Sequence, residues 1–342
     1  MTSHKSTPQI FAPAARVYRG DGIEAVHAAA IAVVDADSRL THFLGDPRQA
    51  FFSRSSIKPL QALPLVEAGG LERFGFDEQE LALCAASHSG TERHRTIVLG
   101  MLHKLGLDVA ALQCGSAVPL GLALAGAGAE REAPVDALSH NCSGKHSGFL
   151  ALAKVLQQPL ETYLEPSGAV QRVVREAVAD ACEVEVGSLL VGIDGCSAPN
   201  YALPLVNLAL GFKNLAQASG AAAAARKRVR DAMLAHPVLV SGEGRLDYDL
   251  ATAFPGRAVV KGGAEALLLL AFAEPAIGIA IKVLDGGSRA LEPILVETLK
   301  QLGLIDDLAR FPSLQRYERP SIANARHIKT GEIRAELVLE RA

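Results

Sequence analysis

Ser55 and Lys58 carry the most pointed chemistry in the chain, three residues apart in Arg54-Ser55-Ser56-Ile57-Lys58-Pro59-Leu60. At a helix start that spacing brings hydroxyl and amine onto one face. Pro59 suits an early helical turn, where its missing N–H has no intrahelical partner to lose. Leu60, Leu63, Leu65 and Val66 then carry the element into a core. A hydroxyl becomes nucleophilic when a neighbouring base takes its proton, and an amine can be that base once burial or a nearby cation lowers its pKa. Lys261 and Arg54 are the cations expected beside it. Ser-x-x-Lys alone is a common coincidence, so its weight depends on companions.

The companions follow in order. In serine enzymes of the β-lactamase and penicillin-binding type, Ser-x-x-Lys is joined by a serine turn between helices and by Lys-x-Gly on a strand. Here Ser87-His88-Ser89 ends a helix in the middle position, and Lys261-Gly262-Gly263 follows the strand-like Val259-Val260. A second candidate, Lys329-Thr330-Gly331, has too little chain after it and is expected to be a hairpin turn.

Soft donors gather in two other places, His140-Asn141-Cys142-Ser143-Gly144-Lys145-His146 at a helix start and Gly192-Ile193-Asp194-Gly195-Cys196 after a short strand. Neither has a standard zinc spacing such as Cys-x-x-Cys. Two readings stand open. The cysteines converge on one soft cation, with neutral Lys145 or His146 completing the shell, or Cys142 is itself a nucleophile with His146 as base one turn away. Cys84, Cys114 and Cys182 read as small buried hydrophobes.

Elements must hold these groups in place. Residues 26–35 and 40–43 read as a hairpin, Asp77 and Glu80 as a capping box, and Thr91 as the cap of a helix ending at Gly106. Residues 120–130 read as a loop or small helix, and 166–182, 203–216 and 221–235 as helices, the basic run Arg226–Arg230 on a solvated face. Strands are expected at 259–263, 267–273 and 277–284, a helix at 289–302, and a last hairpin from 322–327 and 332–337. Strands at both ends with helices between imply one layered α/β (α+β) unit: a sheet from about residues 1–55 plus 256–342, and a helical part from about 56–255.

Composition bounds the partners. With 342 residues, 49% of them hydrophobic, the chain can bury a large core. A net charge of -3, 5% aromatics and no Trp argue against nucleic acid. No apolar run suits a signal peptide or a membrane span, so a cytoplasmic protein is expected. Five scattered cysteines fit a reducing compartment better than a disulfide framework.

Taken together, the segments around Ser55, Ser87, Cys142, Cys196 with Pro199, Gly244-Arg245, and Val260-Lys261-Gly262-Gly263-Ala264-Glu265 resemble the class 3 L-asparaginases, the rhizobial-type thermolabile or inducible enzymes, over about residues 19–285. The resemblance implies a serine β-lactamase and glutaminase-like fold, a homodimer, and hydrolysis of L-asparagine to L-aspartate and ammonia. It also implies Ser55 with Lys58 as the nucleophile pair, Ser87 with Lys261 as a second Ser-Lys tandem, and zinc held by Cys142, Lys145 and Cys196, assisting binding more than attack. Arg54, His146 and Asp194 fall near the substrate. Asp194 is expected to grip the α-ammonium, Arg54 or Arg245 the α-carboxylate, and backbone near Gly262 the oxyanion. Two positions depart from the family: Ala117, in a stretch where a His usually follows Cys-Gly, and Glu243, where a smaller residue is usual. Alternatives are a glutaminase or other serine amidohydrolase on this scaffold, including a β-lactam hydrolase, and a zinc-dependent ligand-binding protein in which Ser55 only caps a helix.

Overall fold

The computed structural model describes residues 10–125 and 134–342, so the part of the 120–130 expectation beyond residue 125 lies outside the described residues. Twelve strands are described: β1 Ala12–Arg19, β2 Gly22–Val34, β3 Leu40–Leu44, β4 Ala50–Phe52, β5 Leu190–Ile193, β6 Pro199–Pro204, β7 Ala258–Gly263, β8 Leu267–Phe272, β9 Ile277–Val283, β10 Ser321–Ala323, β11 Lys329–Ala335 and β12 Glu340–Arg341. Nine of them form one antiparallel sheet in the order β10-β11-β1-β2-β9-β8-β7, with β3 on β2 and β12 on β3. The sheet draws on both ends of the chain, and helices from the middle and from the C-terminal part cover its two faces.

Alternation explains why the strands are so apolar. Ala30, Ala32 and Val34 of β2 enter one core, while Ala29, Ile31 and Val33 enter the other. A sheet covered on both faces needs apolar residues at every position. Helix Leu205–Gln217 covers the first face across β2, β8 and β9, and helix Ser288–Gln301 covers the second across β1, β9 and β11. The approach of the first helix depends on Gly278, where an added Cβ would stand 2.2 Å from the Ala209 carbonyl oxygen. The same alternation aims Lys261: Val259 packs in the first core and Val260 in the second. Lys261 therefore shares the first face with Val259, the one that helix Leu205–Gln217 covers.

Three expectations need correction. A separate three-stranded sheet, β4-β6-β5, was not foreseen. Its strand β6 takes residues 199–204, so the helix expected from 203 begins at Leu205 after Pro204. Lys329-Thr330-Gly331 is the start of β11 and not a turn. The turn lies just before it, where the short Asn324 side chain accepts from the Arg326 and Ile328 N–H groups. Gly331 is needed in the strand, since a Cβ there would meet the Tyr18 carbonyl oxygen at 2.0 Å. Arg226 is 2% exposed rather than solvated, because Asp180 sits 2.5 Å away to pair with it.

Candidate active site

Ser55 lies in a 3₁₀ turn, Arg54–Ile57, and Lys58 opens the short helix Lys58–Gln61. The helix read from Ser55 through Leu60, Leu63, Leu65 and Val66 is broken into short pieces, since Leu63–Glu67 starts afresh with Pro64 in its first turn. The small sheet sets the nucleophile's approach. Strand β4 delivers Ser53, whose hydroxyl donates to Asn200 Oδ1 (2.9 Å) on β6, β4's partner strand. The Arg54 N–H donates to the same Asn200 oxygen (3.0 Å), holding Arg54 at φ 51°, a left-handed conformation that only a well-braced non-glycine residue adopts. Asn200 had no sequence signal. Its importance comes from a contact 146 residues away in the chain.

Ser55 opens onto a cleft of about 550 Å³ whose floor holds Ser87, Asn141, Gly262 and Gly263. Lys58 is fully buried behind it. Its amine reaches Ala86 O (2.7 Å), Ser87 Oγ (2.9 Å) and, more distantly, Asn141 O (3.5 Å). These are three acceptors for an ammonium, or two for a neutral amine whose lone pair then takes the Ser87 hydroxyl. Burial lowers the Lys58 pKa, and Lys145 pushes it the same way, while Cys142 and Cys196 oppose. Arg54 is not that cation, because its guanidinium is committed to Asp194 at 2.8 Å.

Lys261 is also fully buried but differently paired. Its amine donates to Gly262 O (2.6 Å) and Asp247 Oδ2 (3.3 Å). Burial lowers its pKa to about 8, Lys58 and Arg245 push down, and Asp247 alone resists. Among the described residues no hydrogen bond joins Ser55 to Lys58 or Ser87 to Lys261. The first amine is drawn to two carbonyls and the second to a carboxylate. Asp247 also takes the Gly262 N–H (2.9 Å), which removes that donor from the expected oxyanion role.

Arg245 lines the cleft but is turned inward, donating to the Ser87 and Ser241 carbonyls. It braces the serine turn rather than presenting a free fork. Glu243 is exposed, and Ala117 forms an isolated bridge with Asp136; neither lines the cleft.

The soft donors form a second cluster. Lys145 donates to Cys196 Sγ at 3.0 Å, and Cys142 Sγ lies 3.2 Å from Asn141 Oδ1. The Cys196 thiol and then the buried amines Lys58 and Lys145 pull the Cys142 pKa well below the usual thiol range, against burial. Burial opposes charge on Lys145, yet Cys196 and Cys142 outweigh it and raise its pKa. His146 shares a hydrogen bond with the Tyr163 hydroxyl (2.7 Å), and its buried Nε2 has no partner among the described residues. Burial brings His146 down to about 4. Among the described residues no three His, Cys, Asp or Glu side chains group to hold a metal. Two sulfurs and an unpartnered imidazole nitrogen are donors of the kind a soft cation takes, and Lys145, whose proton the sulfurs hold, would join them only on giving it up. Cys142 is 3% exposed and does not line the cleft, whereas Ser55 does.

The L-asparaginase II family model matches residues 15–335, well beyond the span of about 19–285 that the motifs cover. No curated protein matches the chain. Among solved structures, Mglu is 16% identical over 82% of this chain and 68% of its own, with a TM-score of 0.42. A beta-lactamase from Mycobacterium bovis is 14% identical over 80% and 94%, with a TM-score of 0.37.

Proposed function

This chain belongs to the L-asparaginase II family, and from that premise we propose that it is an L-asparagine amidohydrolase working through a Ser55 acyl-enzyme. The family makes it an amidohydrolase; the observation that carries the finer reading is the contrast between two buried lysines on the helical side of the cleft floor. Lys58 has carbonyls and the Ser87 hydroxyl but no carboxylate in its hydrogen-bond shell, and burial lowers its pKa against the pull of Cys142 and Cys196, so it is assigned the base. Lys261 faces Asp247, which sustains its ammonium and makes it the acid. Titratable neighbours with opposed environments are how one site takes and gives protons at one pH.

In this reading Lys58 receives the Ser55 proton as Oγ attacks the side-chain amide carbon, directly or through Ser87. The Ser87 hydroxyl, 2.9 Å from Lys58, passes a proton to the departing ammonia, and Lys261 restores it. Water then releases aspartate from the Ser55 ester. Arg54 and Asp194, paired with one another next to the nucleophile, would part to take the substrate's α-carboxylate and α-ammonium. Cys142, Lys145 and Cys196 would hold zinc, which as a Lewis acid strengthens substrate binding. Five free cysteines, all buried, support a reducing cytoplasm. No helix among the described residues is long and apolar enough to cross a membrane. A homodimer is also proposed: edge strand β5 exposes Leu190, Val191 and Ile193, an apolar seam that pairs with its own copy. A monomer mass by light scattering would remove that part.

The test is intact-mass spectrometry with ammonia release. Wild type should turn over asparagine faster than glutamine or a chromogenic β-lactam and show a transient adduct, while Ser55→Ala shows none. Full turnover by Ser55→Ala refutes the proposal, and preference for glutamine refutes the substrate.

A further inference from the structure

Free asparagine and an ammonia leaving group leave most of the cleft over Ser55 to water, since about 550 Å³ lies within the range of about 300–1,000 Å³ that holds drug-sized ligands. Part of the cleft's lining comes from the second layer: Leu291 and Glu292 on helix Ser288–Gln301, Arg316 and Tyr317 on helix Gln315–Glu318, and Leu268. The polar groups of this part are not alike. Arg316 is satisfied within the protein, by Asp249, the Gly244 carbonyl (2.8 Å) and the Tyr317 oxygen (2.6 Å), and the Tyr317 hydroxyl donates to Asp249 (2.7 Å). Glu292 is only partly exposed, and among the described residues its carboxylate has neither a hydrogen bond nor an ion pair. Burial raises its pKa, with Arg316 opposing. Arg316 is near this carboxylate but spent on other partners, so among the described residues no cation bonds to Glu292, and an ammonium compensates it better than a neutral donor does.

We propose that the cleft accepts asparagines substituted on the side-chain nitrogen, the carbon chain lying along Leu268 and Leu291 and an ammonium at its end meeting Glu292. This rests on Ser55 as nucleophile. The Ser55 Oγ–carbonyl bond forms, the amide C–N bond breaks, and the leaving nitrogen takes a proton and departs as a primary amine. Water then cleaves the ester, so substrate and water give aspartate and the amine.

The experiment compares kcat/KM for asparagine, N4-butyl-asparagine and N4-(4-aminobutyl)-asparagine in wild type, Glu292→Gln and Glu292→Lys. Wild type should favour the aminobutyl over the butyl amide, and Glu292→Gln should reduce that preference about 10- to 100-fold, the worth of a charged hydrogen bond. Glu292→Lys should reverse it. An unchanged preference in both variants, or turnover of asparagine with none of the aminobutyl amide, overturns the inference. Titration calorimetry on Ser55→Ala protein separates the two readings. Selective binding of the aminobutyl amide that is lost with Glu292→Gln upholds the cleft assignment where no amide, asparagine included, is turned over and the Ser55 reading itself has failed, and equal binding of both amides refutes it.

Discussion

Asp247→Asn tests the division of labour between the lysines, because it alters one charge and almost no shape. Lys261 Nζ and Asp247 Oδ2 are 3.3 Å apart and both groups are buried. At an effective dielectric of about 20 their attraction is about 5 kcal/mol, an upper limit. Opposite charges at such range shift pKa values by roughly one to three pH units. Asn keeps an oxygen for the Gly262 N–H but removes what resists the loss of the Lys261 proton. A titration at about 8 in the wild type should therefore fall to roughly 5 to 7. Lys261 is needed as the ammonium, so it governs the alkaline limb of kcat/KM, and that limb should move to lower pH by the same amount. The assay is coupled ammonia release from asparagine between about pH 5 and 10. A stationary limb, or one that moves up, would refute the acid role. Stability carries the same sign. Unfolded, the lysine keeps its proton to about 10.5; folded, it gives it up at about 8. The unfolded chain thus binds more protons in that window, and stability should rise with pH across it. In Asp247→Asn the rise should begin at lower pH.

Cys142→Ala should raise KM and lower zinc content by elemental analysis while keeping the Ser55 adduct at saturating asparagine; loss of the adduct itself would promote the thiol to nucleophile. Gly144→Ala should lower the urea midpoint by the equivalent of about 1–3 kcal/mol, the usual result of overpacking. A Cβ there would stand 2.4 Å from the Leu83 carbonyl oxygen, pressing helix Ser143–Val155 off Glu78–Cys84. An unchanged midpoint would show that the two helices are not in fixed contact.

Local chemistry determined much of this protein from sequence alone. The Asp77–Glu80 capping box forms as read, since it needs only four consecutive residues. The β7 to β9 strands and helix Ser288–Gln301 fall within a residue or two of their expected limits, because burial on a regular element imposes a periodicity that sequence records. Ser55 and Ser87 were legible as candidates for the same reason: their motifs are short. Tertiary structure decided which amine meets which partner. Asp247, Asn200, Tyr163 and Glu292 gave no signal, because a polar contact between distant segments leaves no periodic trace. Lys58 and Lys261 read alike as lysines near serines. Only the sheet's register, which turns Lys261 to the helical face with Asp247 beside it, separates a base from an acid, and Arg226 likewise lost its solvated face to Asp180. Desolvation and pairing are properties of the folded neighbourhood, so the sequence supplied the reactive groups and the packing set their charge.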